Sequence, residues 1–407
     1  MSMRLDPAEH AWMGGAGVAR VMDTLNAGAD RARFVGGCVR NSILGAAVDD
    51  IDIATVVEPE QAAGLLEAAG VKVVPTGLAH GTITAVAEGQ PFEVTTLRKD
   101  VETFGRRAVV AYTTDWAEDA ARRDFRLNAV YARPDGALYD PFGGVEDARA
   151  GRIVFIGDPA ERIAEDHLRI LRFYRFTAWY AASIDPAGQA ACTRLAARLK
   201  DLSAERIWKE LKKLLSAPDP SLAVKAMQEG HVLNAVIAGA LDFSLLLSLI
   251  NRDERKSRAP DPLLRLAALA GRDEGIMTAL SEQMKASNAE KAYAAALCAP
   301  APDLDLNPQA SSHDLARAVH ALGRDAAAGR LRLDEAAGQG DADAALAFVR
   351  GFEPPVFPLK GRDLLAAGFD RGPQLGVVLE QLEQDWVNSG FTLDKAALLA
   401  RAKDAAS

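Results

Sequence analysis

The sequence has few of the features that mark secreted, zinc-stabilised or membrane proteins. Its 407 residues include only three cysteines, which are far apart and have no metal-ligand spacing: Cys38, Cys192 and Cys298. This pattern argues against a disulfide framework and a zinc site, and it favours a reducing compartment. The N-terminus has no basic start followed by an apolar run, and no stretch of about 18 apolar residues is present. We therefore expect a soluble, cytoplasmic protein without a membrane partner.

Acidic residues outnumber basic ones, 56 to 47. The formal net charge is −9, whereas a nucleic-acid-binding protein is more often basic overall. One segment departs from this balance, because seven cations face only three acidic residues there: Arg194, Arg198, Lys200, Arg206, Lys209, Lys212 and Lys213. A solvated helix face and a phosphate-binding stripe are both consistent with such a run.

Strand-like patterns occur only in the first third of the chain. We predict strands at "ARFV", "DDIDIATVV", "KVVPTG", "GTITAVAEG" and "PFEVTTLR", with a hairpin turn at Glu88-Gly89-Gln90. The polar stretch from Lys99 to Tyr112 reads as a mobile loop, and "ERIAEDHLRILRFYRF" as one helix. From Asp158 onward the pattern is helical, with breaks at proline-rich segments. The predicted fold class is a mixed α/β head followed by an all-α remainder.

Two aspartates alternate with isoleucines in "DDIDIAT". In a strand, Asp50 and Asp52 leave the same face, so they can share one or two magnesium ions. Glu93 in "PFEVTTLR" could join them from a neighbouring strand. An exposed polar strand face is the plainer interpretation of each residue alone.

A glycine pair, Gly36-Gly37, separates a predicted strand from a helix start. The backbone N–H groups of such a turn can bind a triphosphate, and Arg40 follows one helical turn later. A simple tight turn is the alternative.

Asp166 and Arg169 are three residues apart in the predicted helix. The pair could form a surface ion pair, or it could read a base. A carboxylate accepts from an exocyclic amino group, and a guanidinium donates to an unprotonated ring nitrogen. Cytosine and adenine offer both groups side by side, whereas uracil and guanine do not.

Together these motifs resemble the class II tRNA nucleotidyltransferase and poly(A) polymerase family, and most closely its CCA-adding enzymes. The similar stretches occur in the family's order and cover roughly residues 34–176: "GGCVRNSILGAAVDDIDIAT", "HGTITAVAEGQPFEVTTLRKD", "EDAARRDFRLNAVYARPDGALYDPFGGVEDARAGRI" and "ERIAEDHLRILRFYRF". The resemblance implies template-independent addition of C, C and A to the 3′ end of tRNA by two-metal nucleotidyl transfer. Its implied ligands are CTP, ATP, Mg²⁺ and the acceptor arm of tRNA, with no obligatory protein partner.

The resemblance also implies roles for individual residues. Asp50 and Asp52 would be the metal ligands, with Glu93 as a supporting carboxylate. Nine further residues would contact the nucleotide: Gly36, Gly37, Arg40, Arg123, Asp124, Asp166, Arg169, Arg172 and Arg175. Independently of the resemblance, the net positive charge of the basic segment predicts that Arg206, Lys209 and Lys213 contact RNA phosphates. The implied fold is an α/β nucleotidyltransferase head, a small mixed sheet with helices, followed by helical neck, body and tail domains.

The predicted domains are an N-terminal helix (1–30), the catalytic head (31–145), a neck with the base-reading helix (146–215), an RNA-binding body (216–300) and a tRNA-binding tail (301–407). One position departs from the family pattern, since Asn41 replaces the aspartate that usually follows the arginine of the glycine motif. A poly(A) polymerase, an enzyme that adds only part of CCA, and an inactive RNA-binding protein of the same fold are the alternatives. The basic cluster typical of bacterial poly(A) polymerases is missing from "PTGLAHGTI", which favours the tRNA enzyme.

Overall fold

The computed structural model describes residues 3–104, 107–301 and 303–406. It divides into two compact units, Met1–Ile237 and Ala238–Ser407. The first unit contains every strand of the described chain, and the second is helical. The predicted α/β head followed by a helical remainder is therefore confirmed. The described residues contain no helix that is both long enough and apolar enough to cross a membrane.

In the described residues of the first unit, nine strands form two sheets. Their bounds are β1 (Ala32–Val35), β2 (Asp52–Thr55), β3 (Lys72–Gly77), β4 (Thr82–Ala87), β5 (Gln90–Thr96), β6 (Arg98–Phe104), β7 (Arg107–Tyr112), β8 (Tyr131–Ala132) and β9 (Leu138–Tyr139). Seven strands form a mixed sheet in the order β3-β4-β5-β2-β1-β8-β9, in which only β2 and β5 run parallel. β4 and β5 form the predicted hairpin, since Ala87 pairs with Gln90 across Glu88 and Gly89. Both turn residues have positive φ, as the tight primed turns of such hairpins require.

The segment predicted as a loop, 99–112, is instead a second sheet. β6 and β7 pair with each other as an antiparallel hairpin. Gly105 and Arg106, which separate β6 from β7 in the sequence, lie outside the described residues. The β-branched and aromatic residues of "RKDVETF" and "RAVVAY" suit strands, but the charged residues among them made a loop the more plausible prediction.

The part of the first unit that the structure describes also contains ten α-helices. They are α1 (Ala16–Leu25), α2 (Gly37–Leu44), α3 (Pro59–Ala68), α4 (Trp116–Ala121), α5 (Gly144–Arg149), α6 (Pro159–Glu165), α7 (Leu168–Tyr180), α8 (Pro186–Leu195), α9 (Ala204–Leu215) and α10 (Ser221–Glu229). One sheet face buries Phe34, Ile53 and Phe92 in a core shared with α1 and α3. The other face carries Val35, Ala54 and Leu97.

Ten further α-helices lie in the described residues of the second unit. They are α11 (Phe243–Arg255), α12 (Pro262–Leu269), α13 (Glu274–Gln283), α14 (Asn288–Cys298), α15 (Ser312–Leu322), α16 (Arg324–Ala336), α17 (Asp343–Gly351), α18 (Gly361–Ala366), α19 (Pro373–Asn388) and α20 (Lys395–Ala406). Separate apolar clusters stabilise α15–α17 and α18–α20. The predicted proline-rich breaks all fall between helices, and α12 begins at Pro262 with Asp261 as its N-cap. The boundary between the units lies inside the predicted body, 216–300, because α10 packs against α7 in the first unit.

Candidate active site

The strand pairing brings two of the predicted carboxylates together. Asp52 begins β2 and is the register partner of Glu93 on the parallel strand β5. Partners in register project from the same sheet face, so the predicted approach of Glu93 to Asp52 is confirmed. Asp50 precedes the strand, so its predicted strand position is wrong. It nevertheless lines the same cleft as Asp52, while Ile51 between them is buried.

The carboxylates repel one another. Burial, together with the charges of Glu93 and Asp50, raises the pKa of Asp52 to about 6, although Arg123 and Arg40 oppose this. A group of carboxylate oxygens of this kind suits a hard divalent cation, which would relieve the repulsion. These residues can therefore hold a metal ion.

A tighter acidic group lies in the second unit. The carboxylate oxygens of Glu335, Asp341 and Asp343 lie within 4.8 Å of one another, and no other such group was found in the described part of the chain. Lys256 already supplies the positive charge there, since its Nζ lies 2.6–2.9 Å from an oxygen of each carboxylate. The arrangement is a salt-bridge network.

The glycine turn places the start of α2 beside Asp52. Gly36 is the N-cap and has φ 74°, which favours glycine. A Cβ atom at this position would lie 3.3 Å from Asp52 Oδ2. α2 then begins at Gly37, as predicted. Glycine thus allows the helix start to approach the carboxylate closely.

Arg40 is buried on the far side of this turn. Its guanidinium donates to Asn128 Oδ1 at 2.7 Å and to the Tyr180 hydroxyl at 2.9 Å. It also donates twice to Asn41 Oδ1, at 3.1 and 2.9 Å. The other end of that amide, Asn41 Nδ2, donates to the Ala47 carbonyl at 2.6 Å. Asn41 thus links Arg40 to the segment that leads to Asp50.

The arginines of the "RRDF" motif are held by a carboxylate that sequence reasoning missed. Asp119 is almost fully buried and accepts hydrogen bonds from Arg122, Arg123 and the Tyr131 hydroxyl. Despite burial, the charges of Arg123 and Arg122 lower the pKa of Asp119 to about 2. Asp119 precedes these arginines by three and four residues on a helical segment, and that spacing was a usable signal.

Asp124 joins the head to α7. Its Oδ2 accepts from Arg172 Nε at 2.7 Å, and its Oδ1 accepts from Asn128 Nδ2 at 3.2 Å. Despite burial, the Arg172 charge lowers the pKa of Asp124. The structure therefore pairs two residues that were predicted separately for the nucleotide pocket. Asn128, which bridges Asp124 and Arg40, was not predicted.

The helix predicted from Glu161 to Phe176 is broken. α6 ends at Glu165, and Asp166 has extended backbone geometry before α7 begins at Leu168. The side chains of Asp166 and Arg169 do not pair with each other, so the surface ion-pair interpretation is wrong.

Each member of that pair has other partners. Asp166 Oδ2 accepts from Arg206 at 2.7 Å, and Oδ1 accepts from the Leu168 N–H at 3.1 Å. Arg169 donates to the backbone carbonyls of Arg122 and Arg162 and to Glu165. These contacts fix both side chains and leave other lone pairs and N–H groups for a ligand.

The predicted RNA-binding cations lie on one face of α9, at spacings of three and four residues. They differ in environment. Arg206 is half-buried in its ion pair with Asp166, whereas Lys209 and Lys213 are exposed. Beside them, Arg175 Nε lies 2.8 Å from Glu210 Oε2, although neither atom makes a hydrogen bond. Glu210 and Tyr180 were not predicted, since nothing in their local sequence marks them.

A cleft of about 540 Å³ connects the aspartates to the C-terminal half of α7. Its walls come from α2, from the segment before β2, from α7 and from α9. The lining residues are Gly37, Arg40, Asn41, Ala46, Ala47, Asp49, Asp50, Asp52, Arg175, Phe176, Trp179, Tyr180 and Lys213. Neither Asp166, just before α7, nor Arg169, near the start of that helix, lines this cleft.

Two family models match the first unit. The poly A polymerase head domain matches residues 32–154, and a probable RNA and SrmB-binding site of polymerase A matches residues 183–240. The first match includes the carboxylates and the "RRDF" motif. The second includes all of α8, α9 and α10.

Similarity to known proteins extends over both units. The mitochondrial CCA tRNA nucleotidyltransferase 1 of Danio rerio is 34% identical over 90% of this chain and 86% of its own length. The CCA-adding enzyme of Limosilactobacillus fermentum is 32% identical over 91% of this chain and 92% of its own. The fold is also similar to the crystal structure of the Bacillus stearothermophilus CCA-adding enzyme in complex with CTP. The superposition has a TM-score of 0.76 at 25% identity and covers 98% of this chain and 98% of that one.

Proposed function

The chain belongs to the CCA-adding tRNA nucleotidyltransferase family, and from this membership we propose that it adds C, C and A in turn to the 3′ end of tRNA. The resemblance inferred from the motifs is thereby confirmed. CTP and ATP are the proposed substrates and pyrophosphate is the product. In each step the terminal hydroxyl oxygen of the RNA attacks the α-phosphorus. The bond from that phosphorus to the β-phosphate oxygen breaks, and the hydroxyl proton is released.

The observation that carries this proposal is that Asp50 and Asp52 line one cleft and that Glu93 is the register partner of Asp52. We propose that Asp50 and Asp52 hold Mg²⁺ and that Glu93 supports them. Bound magnesium would activate the attacking hydroxyl and stabilise charge on the phosphates. The protein's own contribution is to hold Asp52 and Glu93 on adjacent parallel strands, with Asp50 just before β2, and to place the start of α2 next to Asp52.

The nucleotide pocket is proposed to extend from this cleft along the N-terminal half of α7. Gly36, Gly37 and Arg40 would face the phosphates. A second set would hold the sugar and the remaining phosphate oxygens: Arg123, Asp124, Arg172 and Arg175. The contacts among these residues support the assignment, because Asp124–Arg172 and Arg40–Asn128 form one connected group of hydrogen bonds.

Asp166 and Arg169 are proposed to read the base. Each is held rigidly by protein partners, and each keeps hydrogen-bonding capacity for a ligand. An acceptor beside a donor fits the amino and ring-nitrogen edge that cytosine and adenine share. Uracil and guanine present a carbonyl beside an N–H and would be rejected. Selection of C and A would then need no nucleic-acid template.

The RNA is proposed to bind along α8–α10 through Lys209 and Lys213, with Arg206 acting mainly through Asp166. The match of residues 183–240 to an RNA-binding model supports this location. The body and tail, 216–300 and 301–407, are proposed to hold the acceptor arm. A cytoplasmic location is also proposed, supported by three cysteines that are all free.

One experiment tests the function. Transfer RNA that lacks its 3′ CCA is incubated with each labelled nucleoside triphosphate and Mg²⁺. We expect two additions of C followed by one of A, and no long A tract. Asp50→Ala and Asp52→Ala should each lower turnover by several orders of magnitude while tRNA binding changes little. A poly(A) product, addition of C alone, or no addition by the wild type would each overturn the proposed function.

A further inference from the structure

An exposed tryptophan lines the same cleft as Asp50 and Asp52. Trp179, near the end of α7, keeps 43% of its surface exposed and lines the cleft with Phe176 and Tyr180. Its indole Nε1 donates to the Lys213 carbonyl at 2.8 Å, which holds the ring against α9. An indole face that is both fixed and exposed is a stacking surface for a nucleic-acid base.

Three cations share the cleft with this tryptophan. Arg40, Arg175 and Lys213 all line it. Partial burial and the nearby charges of Arg175 and Lys209 lower the pKa of Lys213, which places its ammonium in a positive environment. An aromatic ring bordered by cations is the arrangement that proteins use to bind single-stranded nucleic acid.

The cleft is too far from the proposed base-reading pair to serve the same base. Arg169 and Trp179 are ten residues apart on one straight helix, which corresponds to about 15 Å along its axis. An incoming nucleotide has one base. If Asp166 and Arg169 read that base, then Trp179 stacks on the base of a different nucleotide, and the reaction requires one, namely the last nucleotide of the RNA.

We propose that the end of this cleft beside Trp179 holds the 3′-terminal nucleotide of the RNA, with its base on Trp179 and its phosphate at Lys213. The incoming nucleotide keeps the lining residues assigned to it above, Gly37, Arg40 and Arg175. This assignment rests on the proposed function, because it presupposes an RNA end that is extended. The terminal 3′ hydroxyl then points toward Asp50 and Asp52, where its oxygen attacks the α-phosphorus as described above. α7 would contact both reactants, the nucleotide through Arg172 and Arg175 and the RNA end through Trp179.

The test separates the Michaelis constants of the two substrates. Trp179→Leu removes the stacking face, Trp179→Phe retains an aromatic ring, and Lys213→Gln removes the charge. Lys72→Gln, an exposed lysine on β3, is the matched control. The KM for tRNA lacking CCA and the KM for CTP are measured for each variant, and the thermal unfolding midpoint checks folding.

We expect Trp179→Leu and Lys213→Gln to raise the KM for RNA about tenfold, in line with the loss of one stacking or phosphate contact. The KM for CTP should change less than about twofold, Trp179→Phe should recover most of the loss, and Lys72→Gln should behave as the wild type. A raised KM for CTP with an unchanged KM for RNA would assign the cleft to the nucleotide and overturn the proposal. Unchanged constants in both variants would also overturn it. A wild type that adds nothing to tRNA would instead refute the proposed function. If Trp179→Leu unfolds, Lys213→Gln alone decides.

Discussion

At the scale of single residues, the side-chain amide of Asn41 joins Arg40 to the Ala47 carbonyl. An aspartate here would keep both hydrogen bonds from Arg40, but it would place an oxygen next to the Ala47 carbonyl instead of a donor. Asn41→Leu loses the contacts on both sides. We expect kcat/KM for CTP to fall in the order wild type, Asn41→Asp, Asn41→Leu.

The loss in Asn41→Leu should be about tenfold or more, because hydrogen bonds to a charged group contribute about 1.5–3 kcal/mol. Steady-state kinetics on tRNA lacking CCA would measure it. If Asn41→Leu matches the wild type, the amide does not hold Arg40 in place for the reaction.

Asp166 is the second residue-scale case. Asp166→Asn removes a charge-assisted acceptor for the amino groups of cytosine and adenine. This should cost about 1.5–3 kcal/mol for CTP and ATP, a factor of about ten to a hundred and fifty. UTP should lose less, since it never made that bond, and Arg169 still opposes its ring N–H. The quantity to measure is the ratio of kcat/KM for CTP over UTP. A ratio equal to that of the wild type would exclude a base-reading role.

At the scale of elements, the sequence was informative about local patterns and silent about partners. The alternation of apolar and polar residues predicted β2, β4 and β5. Once β2 and β5 pair in parallel, Glu93 lies beside Asp52. The break at Asp166 was missed because the apolar period continues through it from α6 to α7. The pairs Asp124–Arg172 and Asp166–Arg206 were beyond prediction, since each joins residues 40 or more positions apart.

The face of α9 leads to an element-scale prediction. Lys209→Gln and Lys213→Gln should each reduce the slope of log K for tRNA binding against log salt concentration by about one. This is the change expected for the loss of one phosphate contact. Arg206→Gln should reduce the slope less, because Arg206 pairs with Asp166. It should instead change the ratio of CTP to UTP incorporation. Filter binding at several salt concentrations measures the slopes. If Arg206→Gln instead reduced the slope of log K against log salt by a full unit, that side chain would contact an RNA phosphate.

At the scale of the whole molecule, the second unit has its own ionic network. Glu335 is fully buried and accepts hydrogen bonds from Lys256, Arg258 and the Ala342 N–H. Despite burial, these cations lower the pKa of Glu335 below its ordinary value of 4.5. Its contribution to stability is therefore complete above pH 4.5 and is lost as the pH falls further.

Glu335→Gln leaves the buried Arg258 without its main counter-charge. We expect the free energy of unfolding of the second unit to fall by about 3 kcal/mol. The chain has five tryptophans and only Trp386 lies in that unit, so total fluorescence does not isolate its unfolding. Hydrogen exchange of the α16 amides at increasing urea concentration gives the unfolding midpoint of the second unit instead. Glu353→Gln is the control, because its pair with Arg324 is exposed and should matter by less than about 1 kcal/mol. Equal midpoints for the two variants would contradict the assignment.

The ion pair of Asp166 with Arg206 would have a consequence for the accuracy of the product if Asp166 and Arg169 read the base as proposed. The order of the added nucleotides would then be encoded in protein side chains, and it would depend on a contact between the segment before α7 and α9. A change in the codon for residue 166 or 206 would therefore alter the 3′ end of every transfer RNA that the enzyme completes. The added nucleotides would have no template strand from which they could be corrected.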